Sequence, residues 1–277
     1  MSLVLLDKAP RRTFPVTLWL SAALLLLVIL WALFPAWFSH YDPLIGDARH
    51  ALQPPSASYW FGTDHLGRDI YSRTVFGTAL TLQATLFSVA LALLAGTLSG
   101  VLAGYIGGRV DSLFMRVIDI LMAVPNLLLA MAIITVLGFG TLHIAVAVGL
   151  SSVATFARLS RGEVLRSRTH LFVEAARASG VGHLSIIRRH ILPHALAPVL
   201  SLAALEMGFA LLSVSALSFL GFGAPPPQPE WGLLIAEGRN YIAAAWWYTT
   251  LPGLIIVLSV LATNRIAGFI QDAAEER

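Results

Sequence analysis

The chain has 277 residues, 57% of them hydrophobic and only 12% charged, with a formal net charge of +3 and a mean hydropathy of +0.78. Soluble domains carry about a quarter charged residues, and several apolar runs here exceed the ~18 residues that cross a bilayer core of about 30 Å. An ordinary soluble enzyme or binding module is excluded; the chain is an all-α polytopic membrane protein, because each backbone group in lipid must be satisfied within the protein.

Six spans are predicted in chain order. Residues 1–15 form a tail that carries Lys8, Arg11 and Arg12. A positive cluster before an apolar run also marks a signal peptide, but the run from Val16 to Phe38 is too long. "FPAWFSHYDP" offers no small-x-small cleavage site, so the first span (16–38) is an uncleaved anchor. Residues 39–78 lie outside the membrane and 79–277 form a five-helix core. The second span, Ala79–Tyr105, carries Ala92, Gly96, Gly100 and Gly104, with Gly108 beyond, at intervals of four. Such a stripe lets a second helix approach closely, either from within the chain or from a partner. "GGRVD" (107–111) makes a tight turn into the third span, Val117–Leu137, where Arg116 and Asp119 are spaced to pair at i,i+3.

"GFGT" (138–141) leads into a short fourth span, Leu142–Ala157. From Arg158 to His194 the chain is expected to leave the membrane. Leu171–Ser179 reads as a helix with Phe172, Ala175, Ala176 and Ser179 on one face, and "GVG" (180–182) breaks it. His183–Leu192 reads as another, with Leu184, Ile187 and Ile191 together. Pro193 opens the fifth span, Ala195–Phe222, where a missing N–H costs little. "APPPQPEWG" (224–232) is stiff chain, and Trp231, Leu234, Ile235, Tyr241 and Ile242 then share a face. With Trp246, Trp247 and Tyr248 they read as an interfacial belt. The sixth span is Tyr248–Ile270, with Asn264 and Arg265 as anchors near its inner end.

Fourteen of the 18 basic residues fall on one side of these spans, and only Arg49, Arg68, Arg73 and Arg239 on the other, beside six acids. The positive-inside rule then places both termini and 158–194 in the cytoplasm.

Catalytic chemistry is poorly provided for. Cysteine is absent, so there is no disulfide or thiolate. Lys8, in the tail, is the one lysine, so no P-loop exists and the chain cannot hydrolyse ATP by that route. His190 and His194 have helical i,i+4 spacing, but Pro193 lies between them and no carboxylate or Cys stands at ligand spacing to complete a zinc site. No H-E-x-x-H or G-x-S-x-G occurs. Glu206 is the one acid well inside a span, about 20 Å along a helix from Pro193 at 1.5 Å per residue. It is either a functional carboxylate or half of a hydrogen-bonded pair between helices. A proton-coupled secondary transporter would use it as the carrier, though no inverted repeat accompanies it.

"EAARASG" (174–180), followed thirteen residues after its glycine by the proline of "HILP" (190–193), resembles the EAA loop of bacterial ABC-importer permeases. Glu174, Ala175, Ala176, Gly180, Leu192 and Pro193 match; His190 departs, standing where many such permeases have Ile. "FGTDHLGRDIYSR" (61–73) and "EWG" (230–232) are similar to signatures of the dipeptide, oligopeptide and nickel permease family. In the first of these, Phe61, Gly62, Thr63, Asp64, Gly67, Arg68, Asp69 and Arg73 read as structural. Thr63 or Asp64 is placed to cap a helix, and Asp69 to pair with Arg73 at i,i+4. The resemblance implies a type I importer fold in the bacterial inner membrane and a role in peptide import, with nickel or a metal chelate as the alternative cargo. It also implies a second permease, two ATPase subunits that bind ATP and Mg, and an extracytoplasmic solute-binding protein. No cofactor in this chain and no nucleic acid are implied.

Overall fold

The computed structural model of the chain describes residues 16–275; Lys8, Arg11, Arg12 and Arg277 lie outside the described residues. Eleven α-helices carry the fold among those residues: α1 (Val16–Leu33), α2 (Pro35–Phe38), α3 (Ile70–Ile106), α4 (Gly108–Ala123), α5 (Asn126–Leu137), α6 (Thr141–Arg168), α7 (Leu171–Ala178), α8 (His183–Ile186), α9 (Leu192–Leu217), α10 (Trp231–Gly238) and α11 (Trp247–Glu275). Five helical stretches are long and apolar enough to cross a membrane, and α4 with α5 makes a sixth if that bent pair counts as one span.

The predicted boundaries move for physical reasons. The second span begins nine residues before Ala79, because Asp69 caps α3 by accepting the Ser72 N–H at 2.8 Å. Its 37 residues make a rod of about 55 Å at 1.5 Å per residue. The first nine residues escape a hydropathy reading since they bury Ser72, Arg73, Thr74 and Thr78 inside the protein. Thr74, Thr78, Thr81 and Thr85 each donate to the carbonyl four residues back, which satisfies them there.

The third span is not one helix. Pro125 forces Val124 into extended backbone (φ −96°, ψ 131°), and α4 and α5 meet at 98°. Arg116 and Asp119 do not pair; Asp119 bonds to Arg158 of α6, and Asp111 takes both Nε and Nη2 of Arg161 at 2.6 Å. With Arg168 donating to the Gly104 carbonyl at 2.7 Å, these contacts carry α6 on as helix to Arg168, eleven residues past the predicted end at Ala157. The fifth span likewise begins early. Helical backbone runs from α8 into α9 through a widened π turn at Ile187–Ile191. Pro193 therefore follows a π turn inside continuous helix and does not open the span; such a turn eases the ring past the preceding carbonyls.

The glycine stripe of α3 is used internally, against α6. A Cβ on Gly96 would strike Phe156 and the Val153 carbonyl; one on Gly100 would overlap the Ala157 carbonyl; one on Gly104 would crowd Val164. Gly149 returns the contact from α6, facing Leu91 and the Ser88 carbonyl. Ser88 Oγ donates across to the Ala145 carbonyl at 2.9 Å. Helix α9 packs on α3, α6 and α11, with Gly208 directly beneath Asn264, and α1 lies outside against α3 and α11.

Filling this contact should be destabilising in proportion to crowding. Gly100→Leu is expected to cost ~1–3 kcal/mol or more through overpacking. Gly162→Ala, where nothing lies within 4 Å, should be neutral or mildly stabilising in a helix. Thermal unfolding of the purified protein in detergent distinguishes them; equal melting shifts would refute the close α3–α6 contact.

Candidate functional site

Two constructions stand at opposite ends of α3. At the Tyr105 end is the segment between α6 and α9. Helix α7 stops in a Schellman turn: the Val181 N–H reaches the Ala176 carbonyl at 3.1 Å and the Gly180 N–H the Arg177 carbonyl at 3.1 Å. That turn needs a left-handed residue after the cap, and Gly180 supplies it with φ +77°. The expected faces are redrawn. Val173 and half-buried Ala176 turn inward, with Ile186 and Ile191, onto Val101 and Val164 of α3 and α6, whereas Leu184 is 68% exposed. Leu171, Glu174, Ala175 and Ala178, spaced i, i+3, i+4 and i+7, are all exposed. Phe172 points to neither: its ring lies 5.4 Å from His170, 6.1 Å from His190 and 5.3 Å from His194. His190 and Leu192 are half-buried and Pro193 is exposed. Tyr105 Oη meets His183 Nδ1 at 2.7 Å, tying the end of α3 to α8. The segment is thus one small block keyed to α3 and α6, with a short outward face made of Leu171, Glu174 and two alanines.

At the Asp69 end, the residues of "FGTDHLGRDIYSR" build a buried ionic knot. Neither Thr63 nor Asp64 caps a helix. Thr63 Oγ1 donates to the His50 carbonyl and accepts the Gln53 N–H, while Asp64 accepts the Leu66 and Arg68 N–H groups and Arg68 Nε at 2.6 Å. Gly62 and Gly67 occupy buried left-handed turn positions, and Phe61 packs edge-on to Tyr71. Asp69 is spent on the α3 cap and does not pair with Arg73. Instead the fully buried Arg73 bonds to Glu237 Oε2 at 2.9 Å and lies 3.8 Å from Asp64; Arg68 stands 3.5 Å from Glu237. Tyr248 Oη joins this carboxylate at 3.2 Å and His65 at 3.2 Å. Two arginines and two carboxylates so balance each other out of water, the condition on which buried charge is tolerated.

"EWG" is the third anchor. Glu230 is wholly buried and caps α10, taking the Gly232 and Leu233 N–H groups at 3.1 and 3.0 Å and the Thr81 hydroxyl at 3.1 Å. Burial pushes its carboxyl above the usual range, while those bonds and one from Ser218 pull it down. Trp231 is buried, its Nε1 donating to the Thr74 carbonyl at 2.9 Å; Trp247 and Tyr248 are buried too. The predicted aromatic belt is therefore mostly internal, with Trp246 and Ile242 exposed. Glu237 had escaped the sequence reading entirely, because its partner Arg73 is 164 residues away. Glu206 is buried in α9, where Ser152 Oγ of α6 donates to it at 3.3 Å.

Removing Glu237 should be severe. Glu237→Ala leaves two buried arginines, Arg68 and Arg73, to share the single carboxylate of Asp64, an expected loss of ~3–5 kcal/mol. Glu237→Gln, which keeps an acceptor, should lose less. A melting comparison showing both variants like the parent would contradict the buried knot. The comparisons with known proteins agree with this architecture. The chain is 37% identical over 257 residues (93% of it and 86% of the relative) to a probable D,D-dipeptide transport system permease protein of Escherichia coli K12. It is 40% identical over 259 residues to a di/tripeptide transport system permease protein of Pseudomonas aeruginosa, covering 91% and 86% of the two. A glutathione transport system permease protein of Escherichia coli O6:K15:H31 is 39% identical over 258 residues, 93% of this chain and 85% of that one. Among solved structures, an amino acid ABC transporter with histidines aligns at TM-score 0.56 and 16% identity, over 73% of this chain and 94% of that one. Inward-facing methionine ABC transporter aligns at 0.53 and 19%, over 72% and 96%. Residues 96–277 match the family described as binding-protein-dependent transport system inner membrane component, and the chain belongs to that family.

Proposed function

We propose that this chain conducts peptides as one of two homologous permease subunits, driven by two cytoplasmic ATPase subunits and supplied by an extracytoplasmic solute-binding protein. Family membership replaces the proton-coupled reading built on Glu206. Peptide is preferred to nickel because the relatives named above are D,D-dipeptide, di/tripeptide and glutathione permeases. ATP and Mg belong to the ATPase subunits, since this chain's one lysine precludes a P-loop.

The observation that carries the reading is the division of α7 into two faces. Val173 and Ala176 fasten it to a block that includes the ends of α3 and α6, while Leu171, Glu174, Ala175 and Ala178 face outward. A helix fixed on one side to spanning helices and offering a leucine, a glutamate and two alanines on the other can pass on a push from a protein whose groove it enters. In this reading Glu174, Ala175 and Gly180 meet or shape the contact with the ATPase. Ala176 and Leu192 pack on the core of the block, His190 lies beside Phe172, and Pro193 stands in the first turn of α9.

Two variants test the coupling. Ala175→Trp fills the outward face, and Gly180→Val puts a β-branched residue into left-handed backbone. Both should keep the bundle folded and paired but lower co-purification of the ATPases, or their stimulation by loaded binding protein, by about tenfold, a loss near 1.4 kcal/mol. Gly180→Asn, which tolerates that backbone, should retain most of it. Full stimulation in Ala175→Trp and Gly180→Val would sink the proposal.

Orientation is tested separately. Exposed Ala178 and Ser58 replaced singly by cysteine in this cysteine-free chain should label from the cytoplasmic and outer sides respectively. Labelling of both by an impermeant reagent in intact cells would contradict the assignment drawn from the basic residues, and labelling of the Ala178 site alone would reverse it.

A further inference from the structure

We propose that a cavity beside the N-cap of α3 binds an organic ammonium group, presented by a phosphatidylethanolamine headgroup of the adjoining leaflet. The cavity holds about 290 Å³, and His40, Tyr41, Ser58, Trp60, Asp69 and Tyr71 are among the residues that line it. The chemistry of those walls is specific. Trp60 and Tyr71 lie with ring centroids 4.8 Å apart, His40 stands 6.4 Å from Trp60, and Tyr41 stacks on Tyr59 at 5.2 Å. Aromatic faces attract an alkylammonium through their quadrupoles. A hard metal ion would instead call for several carboxylate or carbonyl ligands, and Asp69 is the one carboxylate among these lining side chains.

Asp69 adds the counter-charge. It is 4% exposed, and its Oδ2 is committed to the Ser72 N–H and hydroxyl. Its Oδ1 is buried and lacks a well-formed hydrogen bond, with the Tyr71 amide at the helix start as its neighbour. A buried carboxylate bonded mainly through one oxygen is costly, and Asp69 is part of the cavity wall, so a cation in the cavity offsets its charge. Burial also holds this carboxyl above its usual range, with the helix-start amides and His40 opposing that shift.

Position favours a lipid as the source of the ammonium. Trp31, near the end of α1, meets Tyr71 edge-on at 5.7 Å. Helix α1 presents Leu26, Ile29 and Leu33 outward, and Trp37 just beyond is 78% exposed. These apolar and indole side chains belong against acyl chains and the headgroup boundary, so the cavity opens at headgroup depth. A soluble amine carries the same group, and the experiment separates the two.

The assembled importer, delipidated in detergent, is titrated calorimetrically with short-chain phosphatidylethanolamine, short-chain phosphatidylglycerol and free ethanolamine. Phosphatidylethanolamine should bind at least ~tenfold tighter than either of the others, the scale of a desolvated cation–π and ionic contact. Asp69→Asn keeps a capping side chain, so its melting temperature should hold while the preference disappears. Trp60→Leu should weaken binding about fivefold. Equal binding of phosphatidylglycerol, or an undiminished preference in Asp69→Asn, would overturn the site. Free ethanolamine binding as tightly as the lipid would overturn the lipid assignment.

Discussion

The backbone-to-backbone contact of α3 with α6 sets the geometry of everything else in the bundle. Gly96, Gly100 and Gly104 leave no side chain between the helices, so the carbonyls of Val153, Ala157 and Arg161 lie almost against α3. In lipid, where tails are as apolar as leucine, such contact supplies dispersion that side-chain burial alone cannot. Two long helices held this closely act as one rigid element. The ionic knot and Glu230 are built at one end of it, and the α7 block at the other.

Rigidity gives the two ends a mechanical relation. At one end, charges are exchanged among Asp64, Arg68, Arg73 and Glu237, so α3 is locked to α10 and, through Tyr248, to α11. At the other, Val101 and Val164 receive Val173, Ile186 and Ile191, and Tyr105 and Arg168 add polar ties. Under the proposed coupling, a push on α7 passes into α3 and α6 directly, while α8 runs without a loop into α9. The bent pair α4–α5 is held in two pieces: Asp111 and Asp119 fasten α4 to α6, Pro125 breaks the helix, and Ala130 and Ile134 then bury α5 in the core shared with α6.

Charged residues near the Tyr105 end show why hydropathy misplaced the helix ends. Arg158 and Arg161 read as the start of an aqueous segment, yet each finds a carboxylate on α4, and so α6 continues as helix. The same holds at the Asp69 end, where Ser72, Arg73 and Thr74 are polar in sequence but buried in the protein. Hydropathy measures preference for water over lipid. It carries no information about a third environment, the protein interior, in which a polar group is satisfied by a particular partner.

The class, the approximate spans and the helix–glycine–helix form of 171–191 were legible in the sequence alone, because these follow from local length, composition and turn chemistry. The left-handed Gly180 and the capping carboxylate at the start of α3 were within reach of local rules, although the cap fell to Asp69 rather than to Thr63 or Asp64. The pairings required the tertiary structure. Arg73 could be matched to Asp69 four residues back or to Glu237 far along the chain, and a single sequence does not rank the two. The same is true of Asp119, which chose Arg158 over Arg116, and of the glycine stripe, whose partner proved to be α6 of the same chain. Which face of α7 turns inward was likewise decided by Val101 and Val164, residues on two other helices. Long-range partners depend on where the folded backbone brings side chains, and that is a property of the packed bundle rather than of any segment in it.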